Sequence, residues 1–279
     1  MAISAADVNK LRQMTGAGMM DCKKALEESN GDFEKAIETI RKKGQLVAAK
    51  RADREASEGV VLSNISSDGT FGALTVVCSE TDFVAKNESF INFAKSINDL
   101  VIAQKPENLD AAKNLKLDNK TVAEAVLEKV GLIGEKIDLI YYSEIKASQV
   151  VAYIHPGNKL ATLVGFNKKL SDQQIGKDIG MQIAAMNPVA VDKDLVPSDI
   201  IAKEKEIAIE QTKLDKKNEG KPENIITKIA EGRLEKFFKE NTLLNQEFIK
   251  DAKLNVNQYL QSKDKELKVT GFIRYSLNA

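Results

Sequence analysis

Two stretches of this chain carry the same succession of hydrophobic periods, and that repetition limits the fold more than any other feature. "EGVVLSNISSDGTFGALTVVC" (58–78) is two β-type runs around the turn signal Ser67-Asp68-Gly69, which reads as a hairpin. "ESFINFAKSINDLVIAQ" (88–104) follows, with Phe90, Phe93, Ala94, Ile97 and Val101 along one helical face. The order recurs in "ASQVVAYIHPGNKLATLVGF" (147–166), turning at Pro156-Gly157-Asn158, and in "SDQQIGKDIGMQIAAM" (171–186), where Ile175, Ile179 and Ile183 fall four apart. Hairpin then helix, twice, implies an α+β core of two related antiparallel hairpin-plus-helix halves. The copies differ at the strand-to-helix junction: "CSETDFVAKN" (78–87) in the first, "GFNKKLSDQQ" (165–174) in the second. Whatever the first junction does, the fold does not need it twice.

The segments around these halves have other periods. Residues 1–54 read as an N-terminal three-helix bundle and linker. Its first helix carries Val8 and Leu11 and runs into "TGAG" (15–18). The second places Met19 or Met20, Cys22 and Leu26 at helical spacing. The third starts after the N-cap candidate Asp32, buries Phe33, Ile37 and Ile40, and stops at Gly44. The tract 45–56 reads as helical extension or linker. Within the first half (55–146), "NKTVAEAVLEKVGLIGEKIDLIYYSEIK" is a helix, a glycine-punctuated turn and a strand-like run. After Pro188 and Pro197, Ile200, Ile207 and Leu214 recur every seven residues and predict a protruding helical hairpin, coiled-coil-like, over 187–222. The second half then takes 147–186 and 223–279, and "LKVTGFIRYSLNA" closes its sheet as a last strand.

Composition excludes several functions. Lys plus Arg and Asp plus Glu are both 41, so the formal net charge is zero, whereas a nucleic-acid binder needs surplus cations. The basic tract around Lys50, Arg51 and Arg54 has acidic neighbours and reads as a solvated helix face. The first residues lack an apolar run of the signal type, and no stretch approaches the ~20 apolar residues of a membrane span. Two cysteines, Cys22 and Cys78, make no disulfide framework, suit a reducing cytoplasm and read as small core residues. One histidine and two separated cysteines leave a zinc site without its usual ligands. "TGAG" and "GLIGEK" (131–136) lack the spacing of phosphate-binding loops, so tight turns are expected and no nucleotide site or other cofactor. His155, beside the second hairpin turn, has no indicated acid–base partner and reads as a surface polar contact.

Phe83 resists this treatment. It stands between Asp82 and Val84 where a strand gives way to a helix and polar turn residues are usual. Either the ring tucks back into the core, with Thr81 as N-cap and Asp82 favoured by the helix end, or it is an exposed apolar tip that serves as an interface anchor. The residues alone leave both readings open.

Longer motifs carry a resemblance. "LRQMTGAGMMDCKKALEESNGDFEKAIETIRKKG" (11–44) and "SETDFVAKN" (79–87) resemble the two signatures of the elongation factor Ts family. "HPGNKLATLVGF", "GKPENIITKIAEGRLEKFFKENTLLNQEFIKD" and "VTGFIR" match its later stretches, so the resemblance covers nearly the whole chain. It implies a ubiquitin-associated-like bundle and a guanine-nucleotide exchange factor for elongation factor Tu in the cytoplasm, rather than an enzyme. A translation-associated adaptor or RNA-binding module without exchange activity is the competing reading. The resemblance further implies that Thr81, Asp82, Phe83 and Val84 dislocate the partner's Mg²⁺. Partner contact is implied for Leu11, Arg12, Gly16, Gly18, Met19, Met20, Lys23, His155, Phe248 and Ile249. It leaves a homodimer or 2:2 complex open, and this chain ends where some family members continue into a further helical module.

Overall fold

The structure, a computed structural model, describes residues 3–277. Three helices come first: α1 (Ala5–Thr15), α2 (Met19–Glu28) and α3 (Phe33–Arg51). Ser4 and Asp7 form a reciprocal capping box at α1, and Asp32 caps α3 by accepting from the Lys35 N–H. Gly16, in the left-handed region at φ 71°, ends α1. Leu11, Cys22, Ala25, Leu26 and Ala36 fill a small core, with Phe33, Ile37 and Ile40 half-buried at its edge. Met19 and Met20 are exposed; Cys22, Ala25 and Leu26 form the interior face of α2.

The first half of the core holds β1 (Glu58–Ile65), β2 (Phe71–Ser79), α4 (Asp82–Ala85), α5 (Glu88–Gln104) and α6 (Leu109–Asn114). It continues with the short β3 (Lys116–Leu117) and β4 (Lys120–Thr121), then α7 (Val122–Ile133) and β5 (Ile137–Lys146). The second half holds β6 (Gln149–Ile154), β7 (Leu160–Phe166), α8 (Gln173–Met186), α9 (Ser198–Leu214) and α10 (Glu223–Asn241). The short β8 (Glu247–Phe248), β9 (Asp251–Asn255), α11 (Val256–Lys263) and β10 (Val269–Ser276) complete it.

Each half builds an antiparallel three-stranded sheet, ordered β1-β2-β5 and β10-β7-β6. Side chains alternate across a strand, so each sheet has two faces to cover. Phe71, Ala73 and Val77 of β2 pack with Phe90 and Ile97 of α5 and with Val126 and Val130 of α7. On the opposite face, Val61, Leu74 and Val76 meet Val150, Ala161 and Leu163 of the second sheet. The outer face of that sheet is covered by α8 and α11 through Ile175, Ile179, Ile183 and Leu260. The halves therefore stack as helix, sheet, sheet, helix. Gly72 permits this closeness, since a Cβ there would lie 2.7 Å from Val150 Cγ1.

Three local expectations need correction. α3 does not stop at Gly44 but continues to Arg51. Gly44 faces Gly131 of α7, and the two bare backbones let the helices cross in contact. The seven-residue stripe also fails at its end: Leu214 is 82% exposed, while Ala208, Thr212, Ile226 and Ala230 form the buried seam between α9 and α10. The hairpin spans Ser198–Asn241, so a division at residue 222 falls inside it. Asn218 Nδ2 donates to the Thr212 carbonyl at 3.0 Å and closes its turn.

Candidate functional site

β2 is buried to its last residue, Ser79, and α5 begins behind the N-cap Asn87, whose side chain accepts from the Ser89 N–H. The single turn α4 fills the junction, capped by Thr81 as the sequence suggested, with a Val84 N to Thr81 Oγ distance of 3.5 Å. Ala85 is buried and Val84 packs against the first-half core. With those neighbours serving the interior, Phe83 is left outside, 83% exposed. Of the two readings left open by the sequence, the exposed tip is the one found.

The turn is held from below by two carboxylates. Glu135, just after the left-handed C-cap Gly134 of α7, accepts from the Thr81 N–H at 3.0 Å and from the Thr81 hydroxyl at 2.7 Å. Glu80 accepts from the Lys136 N–H at 2.6 Å with one oxygen and from Arg51 at 2.7 Å with the other. The Lys136 ammonium donates to the carbonyls of Ala52 and Arg54, tying down the end of α3. Sequence reasoning read "GLIGEK" as a tight turn and not a phosphate loop, and assigned its carboxylate no partner; a glycine turn followed by a carboxylate was the one local signal. On the exposed side, Lys86 donates to Asp82 at 2.6 Å and holds that carboxyl below its ordinary value.

His155 joins this site from the second half. A groove of about 440 Å³ runs beside the turn, lined by Gly59, Asp82, Lys86, His155, Lys159 and Arg274 among others. His155 Nδ1 lies 3.0 Å from the Tyr153 hydroxyl, and Lys159 pairs with Glu58 at 2.8 Å. The bundle residues Arg12, Gly16, Gly18, Met19, Met20 and Lys23 are all exposed. Leu11, expected to touch a partner, is fully buried and instead supports that surface from within. Phe248 needs the same correction: it is 3% exposed and stacked on Tyr259 at 4.1 Å, so of its pair only Ile249 offers surface. The Ile249 N–H donates to Gln182 at 2.9 Å, which mounts that segment on α8.

Among the described residues, no group of three His, Cys, Asp or Glu could hold a metal ion, and no helix is long and apolar enough to cross a membrane. The site offers shape, an apolar tip and a few paired charges.

A family model described as Elongation factor TS matches residues 80–279. The chain belongs to the elongation factor Ts family. It is 52% identical over 280 residues to the elongation factor Ts of Porphyromonas gingivalis, with all of both chains covered. The elongation factor Ts of Amoebophilus asiaticus is 50% identical over 281 residues and that of Bacteroides fragilis 41% over 332, again with full coverage of both chains. The family model begins at Glu80, at the base of the clamped turn, whereas the relatives also span the helical bundle that precedes it in this chain.

Proposed function

We propose that this chain is a guanine-nucleotide exchange factor: it binds elongation factor Tu carrying GDP, disturbs the Mg²⁺ and phosphate site, and promotes GDP release so that GTP can bind. The observation that carries this reading is Phe83, a large apolar ring held out from the surface by a turn braced against Glu135. A GTPase holds GDP through backbone amides around the phosphates and a Mg²⁺ ion that demands near-octahedral oxygen geometry. A rigid apolar wedge that parts the partner's elements by an ångström or so spoils both. Thr81 and Val84 shape the tip, and Asp82 puts a carboxylate beside it. The surface of Arg12, Gly16, Gly18, Met19, Met20 and Lys23 docks the bundle, while His155 and Ile249 extend the contact along the core.

Magnitudes require the whole surface to take part. A nanomolar nucleotide is bound by about 12 kcal/mol, and accelerating its release ~10⁴-fold lowers the barrier by about 5.5 kcal/mol. One aromatic anchor supplies roughly 2–4 kcal/mol. Linkage sets the cycle: whatever factor this chain imposes on GDP affinity, GDP imposes on the chain, so it binds the empty GTPase best and leaves as GTP enters. No covalent bond changes, so this is a binding catalyst rather than an enzyme of a reaction class, working in cytoplasmic polypeptide elongation.

The test is stopped-flow release of a fluorescent GDP analogue from elongation factor Tu. The expected result is release that accelerates with added chain and saturates. Release that stays at its spontaneous rate would instead mark an adaptor or RNA-binding module.

A further inference from the structure

We propose that Glu135, backed by Glu80, is the positioning residue that fixes the Phe83 tip for exchange; this rests on the exchange reading above. α4 is only four residues long, and a single helical turn has no stability of its own in water. Its geometry must be imposed from outside. Covalently, it is joined to β2 and α5. The non-covalent hold at its leading end is concentrated on Glu135, whose two oxygens take both the backbone N–H and the hydroxyl of Thr81. The second of these bonds also orients the cap. With the hydroxyl hydrogen directed to Glu135, the oxygen lone pairs are left to face the Val84 N–H, so the carboxylate selects the rotor state that starts the turn. Ser79 Oγ, donating to the Thr81 carbonyl at 3.0 Å, fixes the third polar group of the same residue.

Glu135 is itself immobilised. Gly134, at φ 81°, reverses the chain at the end of α7, and the next two residues supply the Glu135 carboxylate and the Lys136 N–H that binds Glu80. The other oxygen of Glu80 holds Arg51, at the end of the long bundle helix α3. Charge-assisted bonds, linked through the Glu135–Lys136 and Glu80–Thr81 backbone, therefore run from the bundle helix to Thr81, two residues before the exposed ring, and such bonds are about twice as strong as neutral ones. The base of the turn thus meets the bundle, while its tip stays free to enter a partner.

The chain contains no tryptophan, so Phe83→Trp places its only indole at the tip, where excitation at the red edge selects it over the five tyrosines. In that background Glu135→Ala is expected to give the indole a fast nanosecond component in time-resolved anisotropy, measured on the chain alone. With Phe83 intact, Glu135→Ala is expected to lower the saturating rate of GDP release by about tenfold. The concentration of chain giving half that rate should stay within about threefold. Glu135→Gln keeps one acceptor and should fall between the two; it carries the test if the alanine variant does not fold. An indole as immobile in the Glu135→Ala variant as with Glu135 in place overturns the proposal. So does a mobile indole with an undiminished saturating rate. If Phe83→Ala accelerates GDP release as much as the intact chain does, the ring has no role to be positioned for and the proposal is overturned; if even the intact chain leaves release at its spontaneous rate, the exchange reading itself is what has failed.

Discussion

The crossing of α3 over α7 provides a test in which one substitution, made at two glycines, is expected to act with opposite sign. A methyl group built on Gly131 would lie 2.6 Å from the Gly44 Cα, whereas nonbonded carbons settle at roughly 3.5–4.0 Å. The two helices must therefore part by about 1 Å, a backbone displacement that no side-chain rotation can avoid. Overpacking of this kind typically costs about 1–3 kcal/mol. Gly232 of α10 has nothing within 4 Å of an added Cβ, so Gly232→Ala is left with the helix-propensity gain of up to ~1 kcal/mol. That gain is common to both sites and cancels in their difference, which isolates the crowding at the crossing. At roughly 2–4 °C per kcal/mol for chains of this size, Gly131→Ala should melt about 2–12 °C below Gly232→Ala in thermal unfolding followed by circular dichroism. Gly44→Ala, whose Cβ would sit 3.4 Å from the Gly131 Cα, should be milder than Gly131→Ala. A Gly131→Ala protein that melts with or above Gly232→Ala would refute the close crossing.

Phe83→Ala should leave folding stability within about 0.5 kcal/mol, because the ring is 83% exposed, yet slow GDP release by roughly 30- to 1000-fold, the equivalent of about 2–4 kcal/mol. An equal loss in complex formation would sink the wedge. Replacing Met19 and Met20 together by Ser should weaken association with nucleotide-free elongation factor Tu in calorimetry without shifting the unfolding midpoint, since both side chains are exposed. Asp178 gives a pH signature. Burial pushes its pKa up, but hydrogen bonds from Lys250, Gln174 and Tyr259 outweigh that and hold it below the ordinary value. A depressed folded-state pKa contributes stability above the unfolded value, and that contribution is lost as pH falls through the folded value. Asp178→Asn should thus cost about 1–3 kcal/mol in urea unfolding at pH 7, with the difference shrinking below about pH 4. A pH-independent difference would remove the carboxylate from the explanation.

What could be read from the residues was what depends on neighbours in sequence. Both hairpins, the helices that follow them, the caps at Asp32 and Thr81 and the last strand are signalled by periods and turn chemistry within about ten residues. Gly44 was misread because a mid-helix glycine signals either a stop or a crossing, and the choice lies with Gly131. Leu214 was misread because two heptads cannot distinguish a 3.5-residue period from the 3.6 of a straight helix. The sequence offered Met19 or Met20 for the interior face of α2; Met19, three residues before Cys22 and seven before Leu26, has the matching spacing, yet both methionines are exposed and Cys22, Ala25 and Leu26 take that face. The Phe83 tip and its clamp were legible only in part, since Glu135 meets Thr81 across more than fifty intervening residues and no local pattern records that pairing.

The position of β2 has a mechanical consequence. Its nine residues are buried without exception, it is paired along both edges, and it leads directly into the clamped turn. Close-packed interiors yield little under load, and amides of such a central strand open only when the whole unit does. A ring carried at the end of that rod transmits displacement to whatever it strikes instead of recoiling. On the proposed exchange reading, the compliance in the encounter belongs to the other molecule.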